Sequence, residues 1–155
     1  TKLYNRRGFM LFASRAVLQS KRQRQRLFIV FADLDNLKRL NDSQGHQTGD
    51  FYLASAAALL SSSFREVDTA ARMGGDEFAV LGLINETCIP ESLVERFFDN
   101  IKKFNAENPT LPEPLAVSIG LAVYDPAVPE PIEAAIDRAD EEMYNNKKAK
   151  KAGRQ

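Results

Sequence analysis

The chain of 155 residues is 44% apolar and 27% charged, and its 21 Lys and Arg are matched by 21 Asp and Glu. That is the composition of one ordinary globular domain, and the balance excludes bulk electrostatic attraction to nucleic acid or an anionic membrane surface. Cys88, the single cysteine, excludes an internal disulfide and suits a reducing, cytoplasmic setting. The strongest apolar runs, LFIVFA (27–32) and LASAAALL (53–60), are too short to span a bilayer. No signal peptide is visible. The chain starts at Thr1 without a methionine and reads as a domain excised from a longer, regulated protein.

In chain order, Phe9, Phe12, Ala13, Ala16 and Val17 recur at helical spacing. The basic KRQRQR that follows (21–26) reads as a solvated helix end whose cations suit the C-terminal dipole. LFIVFADLD (27–35) is a nearly continuous apolar run, the pattern of a strand buried on both faces. A helix is expected around NLKRLN, ending near Gly45, and a second over residues 50–65 with Leu53, Ala56, Ala57, Leu60 and Phe64 as its stripe. Residues 69–73 and 77–83 form a hairpin around Gly74 and Gly75. Pro90 opens another helix, 108–114 is a loop, 115–124 a strand, 125–131 a second loop, and Ile132 opens the last helix. This alternation predicts an α/β fold with helices on both faces of a sheet that the hairpin makes mixed.

Two places carry chemistry. Asp33 ends the buried strand, the edge at which open α/β sheets bind ligands, and a carboxylate there must be paired, hydrated or bound to a cation. Asp35 is placed as the cap of the next helix. An EF-hand reading of the D-x-D-x-N spacing fails, because Lys38 and Gln44 stand where glycine and an acid are required. The helix N-terminus near Asn36 points free amides at whatever Asp33 holds, with Lys38 in the first turn, and a divalent ion with a nucleoside triphosphate is the economical combination. If the hairpin lies beside the Asp33 strand, Asp76 completes the metal site. Gly74 and Gly75 then supply positive φ angles and room for a ligand. A plain hairpin with a polar tip fits GGD by itself equally well.

Taken together, TKLYNRRGF, DLDNLKRLNDSQGHQTGD, ARMGGDEF and ADEEMYNNKKAKKAGR resemble, in order and nearly end to end, the GGDEF family of diguanylate cyclase domains. The resemblance implies a palm-like fold related to nucleotidyl cyclases and polymerases. It implies condensation of two GTP molecules into cyclic di-GMP with loss of two pyrophosphates, in a homodimer whose protomers each hold one GTP. It further implies two Mg²⁺ ions per GTP site (Mn²⁺ as a substitute) on Asp33, Asp76 and the Leu34 carbonyl. Glu77 and Lys38 join Asp76 in the catalytic set. Asn36, Leu37, Lys38, Gly74 and Gly75 lie against the phosphates, and Asn41 and Asp50 read guanine. REVD (65–68) matches the family's inhibitory site, so Arg65 and Asp68, with Arg96 as a secondary contact, are expected to bind cyclic di-GMP. His46 is expected to stabilise its loop. A missing N-terminal regulatory domain completes the implied picture.

Three departures stand out. Leu37 replaces a frequent phenylalanine, and Lys2 replaces a glycine. The tail is three residues longer than usual between Tyr144 and Gly153–Arg154, so the phosphate-binding lysine is Lys147 counting forward and Lys150 counting back; Lys150 with Arg154 is the preferred pair. The altered tail also admits a second reading, a non-catalytic domain that senses cyclic di-GMP or GTP. A cyclase making another cyclic nucleotide is disfavoured by Asn41 and Asp50.

Overall fold

The computed structural model describes residues 3–86 and 88–153; the preferred Arg154, like Lys2, lies outside them. The elements are β1 (Tyr4–Asn5), α1 (Arg6–Gln23), β2 (Leu27–Leu34), α2 (Leu37–Gln44), α3 (His46–Ser63), β3 (Thr69–Arg72), β4 (Glu77–Leu83), α4 (Pro90–Glu107), β5 (Val117–Tyr124) and α5 (Ile132–Ala152). The five strands form one sheet in the order β1-β3-β4-β2-β5. Its mixed character comes from the parallel pair β1–β3, whereas the predicted hairpin β3–β4 and both neighbours of β2 are antiparallel.

The apolar run of β2 is central and buried at all eight residues. Its alternation divides the interior. Phe28, Val30, Ala32 and Leu34 pack with α2, α3 and α4, while Leu27, Ile29 and Phe31 pack with α1 and α5. Each large side chain sealed in this way contributes roughly 1.5–3 kcal/mol. Asp33, with odd-residue parity, therefore projects on the α1/α5 side. Among the described residues no helix is long and apolar enough to cross a membrane.

Two glycines matter to placement. Gly45, at φ 85° and ψ 162°, separates α2 from α3, so α3 starts at His46, earlier than the expected residue 50. Gly120 lets β5 meet the backbone of α5, since a Cβ there would overlap the Ala139 carbonyl. That close approach fixes where the lysines at the far end of α5 arrive. Leu115 and Ala116, expected in the strand, precede it. Asn105 stands in for a strand partner there, accepting from the Leu115 amide at 2.8 Å and donating to its carbonyl at 2.9 Å.

Candidate active site

The C-terminal end of β2, the β3–β4 turn, the start of α2 and the last turns of α5 meet at one edge of the sheet. Asp33 is directly opposed to Glu77 in the β2–β4 register. One step further, the Leu34 amide donates to the Asp76 carbonyl at 2.9 Å and the Asp35 amide to the Ala116 carbonyl at 2.9 Å. The hairpin thus lies beside the Asp33 strand, as the metal-site reading required.

The turn is built differently from expectation. Neither Gly74 nor Gly75 has positive φ; the positive-φ residues among those described are Arg24, Asn36 and Gly45. A Cβ at Gly74 would stand 2.7 Å from Glu77 Oε2, the movable end of that side chain, while the side-chain position of Gly75 opens onto nothing within 4 Å. Arg72 holds both glycine carbonyls, donating to Gly74 at 3.2 Å and to Gly75 at 2.6 Å. Sequence reasoning passed over this arginine, although its position two residues before the glycine pair was a visible signal.

Asp35 is not the helix cap. Asn36 occupies that position at φ 63° with no side-chain cap bond, a left-handed conformation that asparagine tolerates better than most residues. The Asp35 carboxylate turns instead to the Ser118 hydroxyl, 2.7 Å, and the Lys150 ammonium, 3.2 Å. With no side chain over them, the first amides of α2 remain available to an anion.

Beside those amides lies a cavity of about 360 Å³ lined by Asn36, Leu37, Lys38, Arg39, Asp42, Asp76, Lys147 and Lys151. Lys147 reaches Asp33 Oδ1. Lys150, the preferred phosphate ligand, faces elsewhere, its ammonium 2.6 Å from the Val117 carbonyl. The reason is helical geometry. Lys147 and Lys151 are four residues apart and share a face, while Lys150 is rotated off it by about a sixth of a turn.

Burial pushes the Asp33 carboxyl above its ordinary range, the Lys147 hydrogen bond draws it back, and Asp76 pushes it up again. Glu77 is also raised, first by burial and then by Asp140, Asp76 and Asp33, with Arg6 opposing. Its side chain borders a separate cavity of about 220 Å³ with Arg6, Met73, Asp137 and Asp140. Asn41 Oδ1 is buried without a hydrogen-bond partner and sits where only a glycine at position 49 leaves room for it. Asp50, the next residue of α3, is exposed. His46, the first residue of α3, is exposed too.

The structure places the expected inhibitory residues at the other end of the sheet. Arg65 and Asp68 form a bidentate pair, with Arg65 Nη2 also on the Leu83 carbonyl at 2.8 Å and the Asp68 side chain 1% exposed. They are therefore not the loose surface pair that the bare R-x-x-D pattern most often gives. Arg96 donates to the Ser63 carbonyl at the end of α3. Leu83 and Glu77 lie at opposite ends of β4, so about 20 Å separates this cluster from the signature turn.

An ion at Asp33 and Asp76 would fit a particular class. Among the described residues no group of three or more His, Cys, Asp and Glu gathers to hold a metal by itself. Two neighbouring carboxylates beside a cavity bordered by the start of α2 and by lysines match Mg²⁺, which takes few protein ligands and completes its shell with phosphate and water.

Relatives share both sequence and fold. The chain is 31% identical over 156 residues to the probable diguanylate cyclase DgcT of Escherichia coli, covering 99% of this chain and 33% of that protein. It is 33% identical over 151 residues to the diguanylate cyclase DgcP of the same organism, covering 97% and 44%. The chain thus spans less than half the length of these two relatives. The crystal structure of the GGDEF domain of DgcB from Caulobacter crescentus in complex with c-di-GMP superposes with a TM-score of 0.82 at 25% identity, over 96% of this chain and 88% of that one. The family model for the diguanylate cyclase GGDEF domain matches residues 1–153. A match of that extent takes in every strand and helix that builds the site, and the chain belongs to the GGDEF family of diguanylate cyclase domains.

Proposed function

We propose that this domain is a diguanylate cyclase that joins two GTP molecules into cyclic di-GMP and releases two pyrophosphates. The observation that carries the reading is the Leu34–Asp76 backbone bond. It sets two carboxylates of the signature edge beside the open N-terminus of α2, with lysines on the cavity wall.

In this reading Asp33, Asp76 and the Leu34 carbonyl hold two Mg²⁺ ions per site, with Mn²⁺ able to substitute. When bound, the ions supply Lewis acidity to the attacking 3′-hydroxyl and the α-phosphate. The chain's own groups do the rest. The amides of Asn36 and Leu37, with Lys38, Lys147 and Lys151, neutralise and orient the triphosphate. Gly75 leaves its approach clear. Asn41 and Asp50 read the guanine edge, with the exposed Asp50 carboxylate accepting from guanine donors, a pattern adenine cannot match. Glu77, whose pKa is raised first by burial and then by Asp140, Asp76 and Asp33, steers the proton that leaves the hydroxyl. Each site carries one GTP, so turnover requires two protomers face to face.

The lengthened tail gives little support to a non-catalytic sensor. α5 continues unbroken through Ala152 and presents Lys147 and Lys151 to the cavity. Product inhibition at Arg65, Asp68 and Arg96, and control by a domain outside this segment, belong to the same proposal. The c-di-GMP complex of the DgcB domain and the greater length of the relatives favour both.

The test is to incubate the protein with GTP and Mg²⁺ and to follow pyrophosphate and the nucleotide product. Cyclic di-GMP formation, abolished in Asp76→Ala and inhibited by added product, is the expected result. Absence of turnover together with tight cyclic di-GMP binding makes the domain a sensor. Full activity in Asp76→Ala removes the metal assignment.

A further inference from the structure

Lys147 has two neighbours that the proposed reaction would pull it between. Its ammonium bonds Asp33 Oδ1, and its side chain also lines the cavity with Asp76, Lys38 and the start of α2. The pair is well shielded, with side-chain exposures of 20% for Lys147 and 10% for Asp33. The backbone beneath it cannot drift. Asn146 donates to the Ile119 carbonyl at 2.7 Å, and Lys150 holds the Val117 carbonyl. Flanked by these anchors, Lys147 can change partners only by rotating its own side chain.

We infer that Lys147 is a tethered counter-ion of Asp33 that a divalent cation displaces, and that the displaced ammonium turns to the nucleotide's phosphates. The inference rests on the diguanylate cyclase reading for the identity of that nucleotide. An ammonium held on one carboxylate oxygen and a divalent ion on the same carboxylate repel each other at close range, so cation binding drives the lysine off. A carboxylate this buried also needs a cation at all times, because an unpaired buried charge is costly. The lysine keeps Asp33 neutralised until the metal arrives. Once expelled, its charge lies on the cavity wall, where a triphosphate is the natural anion. Metal and nucleotide binding are then coupled through one side chain, and each favours the other by the same factor.

The consequence is a pair of effects of opposite sign. In Lys147→Met, Mn²⁺ measured by electron paramagnetic resonance without nucleotide should bind more tightly than in wild type. About tenfold is expected from removal of a directly competing charge. The same variant should bind the unreactive α,β-methylene analogue of GTP, in saturating Mn²⁺, about tenfold more weakly. Lys151→Met is the control. It shares the cavity and makes no ion pair with a carboxylate among the described residues, so it should weaken the analogue and leave Mn²⁺ affinity within about twofold. Thermal midpoints of each variant confirm folding. Mn²⁺ affinity in Lys147→Met that is unchanged or weaker overturns the inference, as does equal tightening in Lys151→Met, which would mark a general field effect. Asp33→Asn separates the two levels. If it abolishes Mn²⁺ binding while Lys147→Met does nothing, the metal site stands and the exchange falls. If Asp33→Asn leaves Mn²⁺ binding intact, the metal assignment falls and takes the exchange with it.

Discussion

Arg72 spans the signature turn, its guanidinium donating to the carbonyls of Gly74 and Gly75 at 3.2 and 2.6 Å. Between them these two residues lead directly into Asp76, whose carbonyl receives the Leu34 amide. The fork of arginine matches two adjacent carbonyls in a way that a lysine's single ammonium does not. Arg72→Lys is therefore expected to lower Mn²⁺ affinity and cyclic di-GMP synthesis by about 10- to 100-fold, the usual effect of losing a group that orients a metal ligand. The urea midpoint should scarcely move, because the turn lies at the sheet edge. Synthesis within twofold of wild type would show that the turn holds its shape unaided.

The Arg65–Asp68 pair makes a different prediction. Asp68 receives both the Arg65 guanidinium and the Arg65 amide, 2.9 Å from Oδ2, and its side chain is 1% exposed. Asp68→Ala should cost about 3 kcal/mol, since it strips the carboxylate from a partly buried guanidinium and leaves it the Leu83 carbonyl and the face of Phe28. Val67→Ala, at a residue 82% exposed, should fall within about 0.5 kcal/mol of wild type. Urea denaturation compares the two. A neutral Asp68→Ala would mean that the pair does not fix the α3–β3 connection. Any loss of product inhibition in Asp68 variants has to be judged against this destabilisation.

How much of this was legible beforehand depends on whether local pattern or docking decides. The central strand was legible because six apolar residues in a row, 27–32, suit a strand covered on both faces. The Asp33–Asp76 approach followed once the glycine pair was read as a hairpin turn. By contrast β1, only two residues long, carries no periodicity to detect. Asp35 looked like a helix cap because capping residues are recognised by type, yet Asn36 takes the left-handed conformation and moves the cap one place on. Counting forward from Tyr144 names Lys147, which does face the cavity, while counting back from Arg154 names Lys150, which does not, and nothing local chooses between the two. The choice is set by where α5 settles on Gly120, a contact between elements distant in sequence.

A pH effect follows from Glu130. Its carboxylate receives both terminal nitrogens of Arg138, at 2.7 and 2.8 Å, and this hydrogen bonding holds its pKa below the ordinary 4.5. A depressed folded-state pKa contributes stability above the unfolded value and loses it as the pH falls through the folded one. The urea midpoint of wild type should therefore exceed that of Glu130→Gln at pH 7, and the gap should close as the pH falls below about 4.5. Because the pair is open to solvent, the gap is small and shrinks in high salt. A gap independent of pH would assign it to packing of the glutamate stem.

The outer edge of β5 is guarded by a ladder from α5. Arg138 donates to the Val123 carbonyl at 2.9 Å, the Leu121 amide to Glu142 at 2.6 Å, Asn146 to the Ile119 carbonyl at 2.7 Å, and Lys150 to the Val117 carbonyl at 2.6 Å. The rungs recur every fourth helix residue and every second strand residue. Four helix residues rise about 6 Å and two strand residues about 6.7 Å, so the match persists over the whole strand. β5 is an edge strand, and bare edges invite pairing with another chain. Glu142→Ala with Asn146→Ala removes the two central rungs, at about 1 kcal/mol each for the lost hydrogen bonds. The larger effect should be concentration-dependent self-association without nucleotide, seen by sedimentation velocity. Neither residue lines the cavity at the signature edge, but Asn146 anchors the turn that carries Lys147, so Glu142→Ala alone is the variant in which Mn²⁺ affinity should stay unchanged. A variant that remains the same size as wild type at all concentrations would show that the ladder anchors α5 without protecting the edge.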